Sequence, residues 1–229
     1  MPLDDPRMLP IYEYAEKTQL PIVFHINLIK YYDEFVRVME RYPYLRVDVP
    51  HFGLHKNTGK RLRRFEWLME RYPNVYTDIS FGWHTFHIEG MEALAKWRSR
   101  SQLFFTRHAD RIMYASDLVV DPLRKQAYIT ATLRSYMQFL EMDHHRLFLE
   151  PEYPMHGLAL GDGALKAIYN STPSRFLLLD KDGNLPDRTN GWPPATLDGL
   201  PPTVSTVVPL PPGSTPWEEL GDFEWRGQK

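Results

Sequence analysis

The sequence contains no cysteine. That excludes a disulfide scaffold and a thiolate metal centre, so any metal must be held by nitrogen and oxygen donors. It also lacks a charge excess: 27 basic and 29 acidic side chains leave a net charge of −2, without the basic surplus that nucleic-acid binders carry. No run approaches the length of uninterrupted apolar sequence that spans a bilayer, so no contact with membrane is expected. The opening MPLDDPRMLP has no basic-then-apolar signal pattern, which points to a cytoplasmic protein. A glycine-rich phosphate loop and a nucleophile-elbow serine are both missing. What remains is a water-soluble chain whose partner is a small molecule or another protein.

Apolar residues make up 43% of the 229 positions and aromatics 14%, enough for a sizeable core. Proline is unevenly spread: nine of the 20 fall between Pro186 and Pro216, where apolar periodicity is weak. The expected organisation is therefore a folded domain over residues 1–179 and a Pro-rich, irregular tail over 180–229. Trp192, Trp217, Phe223 and Trp225 give that tail large apolar side chains, a composition suited to docking on the domain or on a neighbouring subunit.

The domain reads as an alternation of short apolar runs and amphipathic stretches. A helix is expected from about Pro10 to Lys17, a strand over Leu20–Asn27 (LPIVFHIN) and a helix over Tyr31–Tyr42, which Pro43 ends. Leu45–Val49 is strand-like, Lys60–Tyr72 carries Leu62, Phe65, Leu68 and Met69 at helical spacing, and Val75–Ser80 is again strand-like. The loop FGWHTFH precedes a helix around Met91–Phe105, then a strand at Arg111–Ala115, a helix at Leu123–Leu140 and a last helix near Gly163–Tyr169. Four strands alternating with helices predict an α/β fold with a parallel sheet and right-handed crossovers. The run Lys60-Arg61-Leu62-Arg63-Arg64 reads as a solvated helix face.

Ionisable residues fall at the ends of these strands. His25 lies near the end of the first, His51 just past the second, and Asp117 just past the fourth. In parallel α/β folds the C-terminal strand ends form one face, and that face carries the active site. Two imidazoles and a carboxylate converging there suit Zn²⁺ or a similar divalent ion, with a histidine available as base for an activated water. The plainer alternatives are satisfied polar residues for the histidines and a helix-capping role for Asp117.

The words PIVFHIN, VPHFGL after a helix ending RYP, RYPNVYTDIS, DRIMYASD and GLALGDGALKAIYNSTPSRFL resemble the amidohydrolase-related family (amidohydrolase family 2), and specifically its C-terminal half. The resemblance implies a (β/α) barrel of the metal-dependent hydrolase type, represented by about four C-terminal βα units, and a hydrolase or decarboxylase (C–C lyase) acting on a small carboxylated or cyclic substrate. It implies that His25 and Asp117 bind the catalytic metal, zinc or alternatively manganese, that His51 is the general base, and that Asp117 also takes a proton from the nucleophilic water. Asp78, inside the DIS motif, reads as structural. The family's first-strand His-X-His pair occurs nowhere here, so the chain reads as N-terminally incomplete with an incomplete metal site.

Other histidines are read as structural or solvated: His55 in a loop, His108 at a turn, His144 and His145 after a helix end, and His156 in a loop. His84 and His87 lie in a loop within reach of the same face. Half a barrel exposes two sheet edges and an inner face expected to hold Ile22, Phe24, Val47, Val49, Val75 and Ile112. A homo-oligomer or a segment completing the barrel is therefore expected. The alternative to an enzyme is a non-catalytic half-barrel that uses its edges and tail for assembly.

Overall fold

Short apolar runs separated by amphipathic stretches can bury themselves only as strands covered by helices, and the chain folds that way. The structure is a computed structural model that describes residues 1–57, 59–82, 84–120, 125–146 and 154–185. In order come α1 (Leu9–Thr18), β1 (Ile22–Val23), α2 (Tyr32–Arg41), β2 (Val47–Val49), a 3-10 stretch (Pro50–Asn57), α3 (Gly59–Arg71) and β3 (Val75–Asp78). There follow α4 (His84–Lys96), α5 (Arg98–Arg107), β4 (Ile112–Met113), α6 (Gln126–Glu141), β5 (His144–Arg146), β6 (Pro154–His156), α7 (Asp162–Lys166), a π-helical turn (Ala167–Ser171) and α8 (Thr172–Leu177).

The sheet has the order β1-β2-β3-β4, all parallel, with Val47 opposite Ile22 and Val75, and Thr77 opposite Ile112. The α/β class and the parallel sheet are as expected; no closed barrel forms among the described residues. The strands are shorter than their apolar runs. β1 stops at Val23, so His25 stands two residues beyond it, and β2 stops at Val49, so His51 follows the strand through Pro50. The helix expected over Met91–Phe105 is two, α4 and α5, divided at Trp97, which leaves the helical region (φ −111°, ψ 40°). The hairpin β5–β6, antiparallel, was not anticipated.

The two faces of the sheet are unlike. Val47, Val49, Val75 and Ile112 are fully buried in one cluster with helix residues such as Phe35, Met39, Phe65 and Leu68. They lie under the helices, not on the inner face where they were expected. A period of two sets this: the alternate positions Asp48, Tyr76 and Asp78 turn the other way. That opposite face is polar, and Phe176 of α8 covers its lower part by packing on Tyr76 at 5.1 Å with Met113 in the same cluster. α8 is held there by the Arg46 guanidinium, whose Nη1 donates to the Arg175 carbonyl at 2.8 Å. The β4 edge is partly covered too, since the Tyr114 amide donates to the Ile168 carbonyl at 3.1 Å.

The basic run at the start of α3 is less solvated than expected. Leu62 is buried, Arg61, Arg63 and Arg64 are half-buried, and the Arg64 guanidinium lies 3.5 Å from the Tyr32 ring centroid. Such stacking lets the stem pack while the charge meets the ring's negative face. Residues 186–229 lie outside the described residues, and with them the aromatic positions Trp192, Trp217, Phe223 and Trp225.

Candidate active site

The chain leaves β2 through an unusual backbone. His51, Phe52 and Gly53 all have left-handed conformations, with φ of 57°, 54° and 57°. For the two L-residues this costs roughly 1–2 kcal/mol each. Strain of this kind persists only where surrounding contacts over-determine it, and it concentrates at functional sites. Here the contacts are explicit: the His51 amide donates to Asp78 Oδ1 at 3.2 Å and the Phe52 amide to Thr77 Oγ1 at 3.3 Å. The ring of Phe52, fully buried, meets Phe65, Phe104 and Phe105 edge-on. β3 and the aromatic core therefore hold the turn that aims His51.

The imidazole is fixed from one side. Its Nδ1 lies 2.5 Å from the Ser80 carbonyl and 2.8 Å from Ser80 Oγ. A carbonyl only accepts, so Nδ1 carries the proton and donates it. The Ser80 hydroxyl in turn donates to Asp78 Oδ1, which also accepts from the Ser80 amide at 3.0 Å. With Nδ1 protonated, the lone pair is on Nε2, and that atom lies 3.8 Å from Asp117 Oδ2. His51 is 7% exposed, whereas the Asp117 side chain is 58% exposed, so the pair opens to solvent on the Asp117 side.

Asp117 is also positioned by backbone. It has φ of 51°, and a side chain on Gly82 would put its Cβ 2.4 Å from Asp117 Oδ2. Gly82, itself left-handed with φ of 60°, donates its amide to the Ser116 carbonyl at 3.1 Å. Tyr136 ties the two strand ends together: its hydroxyl accepts from the Phe81 amide at 2.9 Å and donates to the Ser116 carbonyl at 3.4 Å. Burial first, opposed by those backbone amides, holds the Tyr136 phenol well above its ordinary pKa, so it is always a donor. Sequence spacing offered no sign of Tyr136, which comes from the middle of α6.

His25 is exposed and packs its ring edge-on against His51, with centroids 5.3 Å apart and planes at 79°. His51 is thus the common neighbour of His25 and Asp117. Behind them lies Asp48, 4% exposed in the centre of β2, hydrogen-bonded to Asp78, and not anticipated as part of the site. Burial above all, then the Asp78 charge and the shared hydrogen bond, push its pKa from 3.8 up to about 8. Asp48 holds a proton at neutral pH while Asp78 accepts from His51 and Ser80.

His87 is buried and stacks on Tyr136 at 4.3 Å, which places it behind the strand ends as a packing residue. The side chains of His55 and His84 lie outside the described residues. His108, which follows α5, faces Glu66 of α3 at 3.9 Å.

The residues at the strand ends suit a divalent metal in donor type, a nitrogen from His25 and an oxygen from Asp117, although the ligand atoms of His25, His51 and Asp117 do not all lie within 4.8 Å of one another. His51 Nε2 and Asp117 Oδ2 are two acceptors facing each other, an arrangement a shared cation or proton stabilises. The Nδ1–H bond to a carbonyl fixes the tautomer that leaves the Nε2 lone pair free to act as a base. The cradle at Gly82, which a Cβ would fill, leaves room for the carboxylate.

A model of the amidohydrolase family (Amidohydro_2) matches residues 1–179. The chain is similar to the crystal structure of an uncharacterized TIM-barrel protein from Bordetella bronchiseptica, with 18% identity and a TM-score of 0.50 over 78% of this chain. The chain spans 52% of that protein's length. No curated protein matches the chain. The family match over residues 1–179 does not bear out the expectation that only the C-terminal half of the domain is represented. The chain belongs to the amidohydrolase-related family, a family of metal-dependent hydrolases and related enzymes. No described helix is long and apolar enough to cross a membrane.

Proposed function

We propose that this amidohydrolase-related chain hydrolyses a small carboxylated or cyclic substrate, with water activated between His51 and Asp117. The observation that carries the reading is the arrangement of His51: Nδ1–H bonded to the Ser80 carbonyl, the Nε2 lone pair aimed at Asp117. Asp117 and His25 are the residues that would hold a divalent ion, zinc by donor type, with His51 between them. When bound, such an ion polarises a carbonyl-like oxygen and lowers the pKa of water.

The chain's own residues do the rest. His51 Nε2 takes a proton from a water lying towards Asp117, and the resulting imidazolium sits between two carboxylates, Asp78 Oδ1 at 4.0 Å and Asp117 Oδ2 at 3.8 Å. Ser80 fixes the ring so that the proton arrives only at Nε2. Asp48, kept neutral, hydrogen-bonds Asp78 without adding a second negative charge. A base placed to take a proton from water favours hydrolysis over decarboxylation, which needs a donor towards carbon.

Assay against a panel of lactones, cyclic amides and carboxylated esters tests this. His51→Ala is expected to lower kcat by about 10²–10⁴ with KM little changed, the range for loss of a general base. His51→Ala retaining wild-type kcat on a turned-over substrate would overturn the assignment. The barrel edge at β1 carries the assembly reading: Val23 there is 60% exposed, and β1 pairs only with β2 among the described residues. We propose that a second copy or a further segment covers this edge; a second copy gives light scattering at micromolar concentration a mass above that of one chain, and a segment of the same chain does not.

A further inference from the structure

We propose that Asp143, His144 and His156 form a second metal site, for a borderline divalent cation such as Zn²⁺, Ni²⁺ or Cu²⁺, on the β5–β6 hairpin. His144 and His156 are direct cross-strand partners, so their side chains leave the hairpin on the same face. Their ring centroids are 5.1 Å apart. One ligand atom from each of the three residues lies within 4.8 Å of the others, and the three belong to no part of the His51 cluster. His145, between them in the strand, turns inward instead: it is 2% exposed and its Nε2 lies 3.4 Å from Ser135 Oγ. The alternation therefore sorts two imidazoles outward and one inward.

The carboxylate is aimed by its surroundings. Arg98 bonds Asp143 Oδ1, and its Nε donates to the Gly157 carbonyl at 2.8 Å. The Gly157 amide returns a bond to the Asp143 carbonyl at 2.9 Å. Gly157 is needed for this closure, because a Cβ there would lie 2.2 Å from the Met142 carbonyl oxygen. With Oδ1 committed to Arg98, Oδ2 faces His144 Nε2 at 3.2 Å. The Arg98 charge weakens the carboxylate's pull on a cation, so the two imidazoles dominate affinity, which selects nitrogen-preferring metals over Ca²⁺ or Mg²⁺.

Three protein donors leave one position of a tetrahedral ion open. Beside the three residues lies a cleft of about 740 Å³ lined by Gln138, Met142, Met155 and by His144, His145 and His156, space enough for water or a small exogenous ligand. A bound ion would cross-link the two strands of a hairpin that, on its own, has little pairing to hold it.

Calorimetric titration of the full chain with Zn²⁺ tests the site. The His144→Ala/His156→Ala pair is expected to bind about one equivalent fewer than wild type, while Asp143→Asn keeps the equivalent with severalfold weaker affinity. Both histidines are exposed, so unchanged far-UV circular dichroism accompanies the loss. In the unaltered protein, imidazole NMR signals of His144 and His156 shift on Zn²⁺ addition by more than that of His145, which is their neighbour but no ligand. Identical isotherms for wild type and the double variant, or Zn²⁺ leaving the His144 and His156 signals in place, would overturn the proposal. Either result leaves the His51 centre standing, since that centre shares none of these residues.

Discussion

Replacing Asp48 by asparagine is expected to stabilise the protein at neutral pH and to remove a specific part of its pH dependence. The Asp48 carboxyl is neutral in the fold up to about pH 8 but ionises near 3.8 in a solvated chain. Between those values the folded state binds one more proton than the unfolded state, so stability falls as pH rises, by about 1.4 kcal/mol per unit. At pH 7 the accumulated penalty is roughly 4 kcal/mol, a large share of a domain's usual 5–15 kcal/mol. Asparagine removes the penalty and keeps a donor towards Asp78. The window to use is pH 6.5–8; histidines still titrate in its lower part, so the reading is the difference between the two proteins, which share every histidine. Across it, the wild type should lose roughly 2 kcal/mol of urea-unfolding stability relative to Asp48→Asn. Parallel stability curves for the two proteins would refute the reasoning, because they would mean that Asp48 ionises in the fold as it does in water.

His145 runs the opposite way. Burial lowers its pKa to about 4, so its contribution is complete above pH 6.5 and is lost as pH falls, by roughly 3 kcal/mol at pH 4; acid unfolding of His145→Leu should lack that component. Tyr136→Phe leaves the Phe81 amide without its acceptor and is expected to cost about 1–3 kcal/mol in urea unfolding, with kcat falling as the two strand ends loosen. Gly82→Ala forces a Cβ against Asp117 Oδ2 at a left-handed position; a loss of about 1–2 kcal/mol and displaced Asp117 chemistry are expected, read by thermal melting and by activity.

Sequence and structure agree best where periodicity and position both speak. The apolar spacing of Phe35, Val38 and Met39 announced α2, and the order of strands and helices announced a parallel sheet with His25, His51 and Asp117 beyond its strand ends. Which face of each strand points where was not legible. Val47, Val49 and Val75 fit either layer, and only the packing of α2 and α3 placed them beneath the helices and left Asp48, Tyr76 and Asp78 on the other side. The hairpin escaped notice because HHR and PMH carry neither alternation nor β-branched residues; Gly157, just past β6, and Arg98, from distant α5, make it. Ser80, Tyr136 and Asp48 were missed for a related reason. Each acts through a hydrogen bond to a residue or backbone group that only the fold brings near. An aspartate in the middle of an otherwise apolar strand run, as in VDV, is the one sign that could have drawn attention to Asp48.

Metal content is the most direct test of the central claim that His25, His51 and Asp117 form a divalent-metal hydrolytic centre. In the His144→Ala/His156→Ala background, which removes the hairpin site, elemental analysis of purified protein should find about one divalent ion per chain. Adding Asp117→Ala or His25→Ala should abolish that ion. Metal content unchanged by both substitutions would contradict the account.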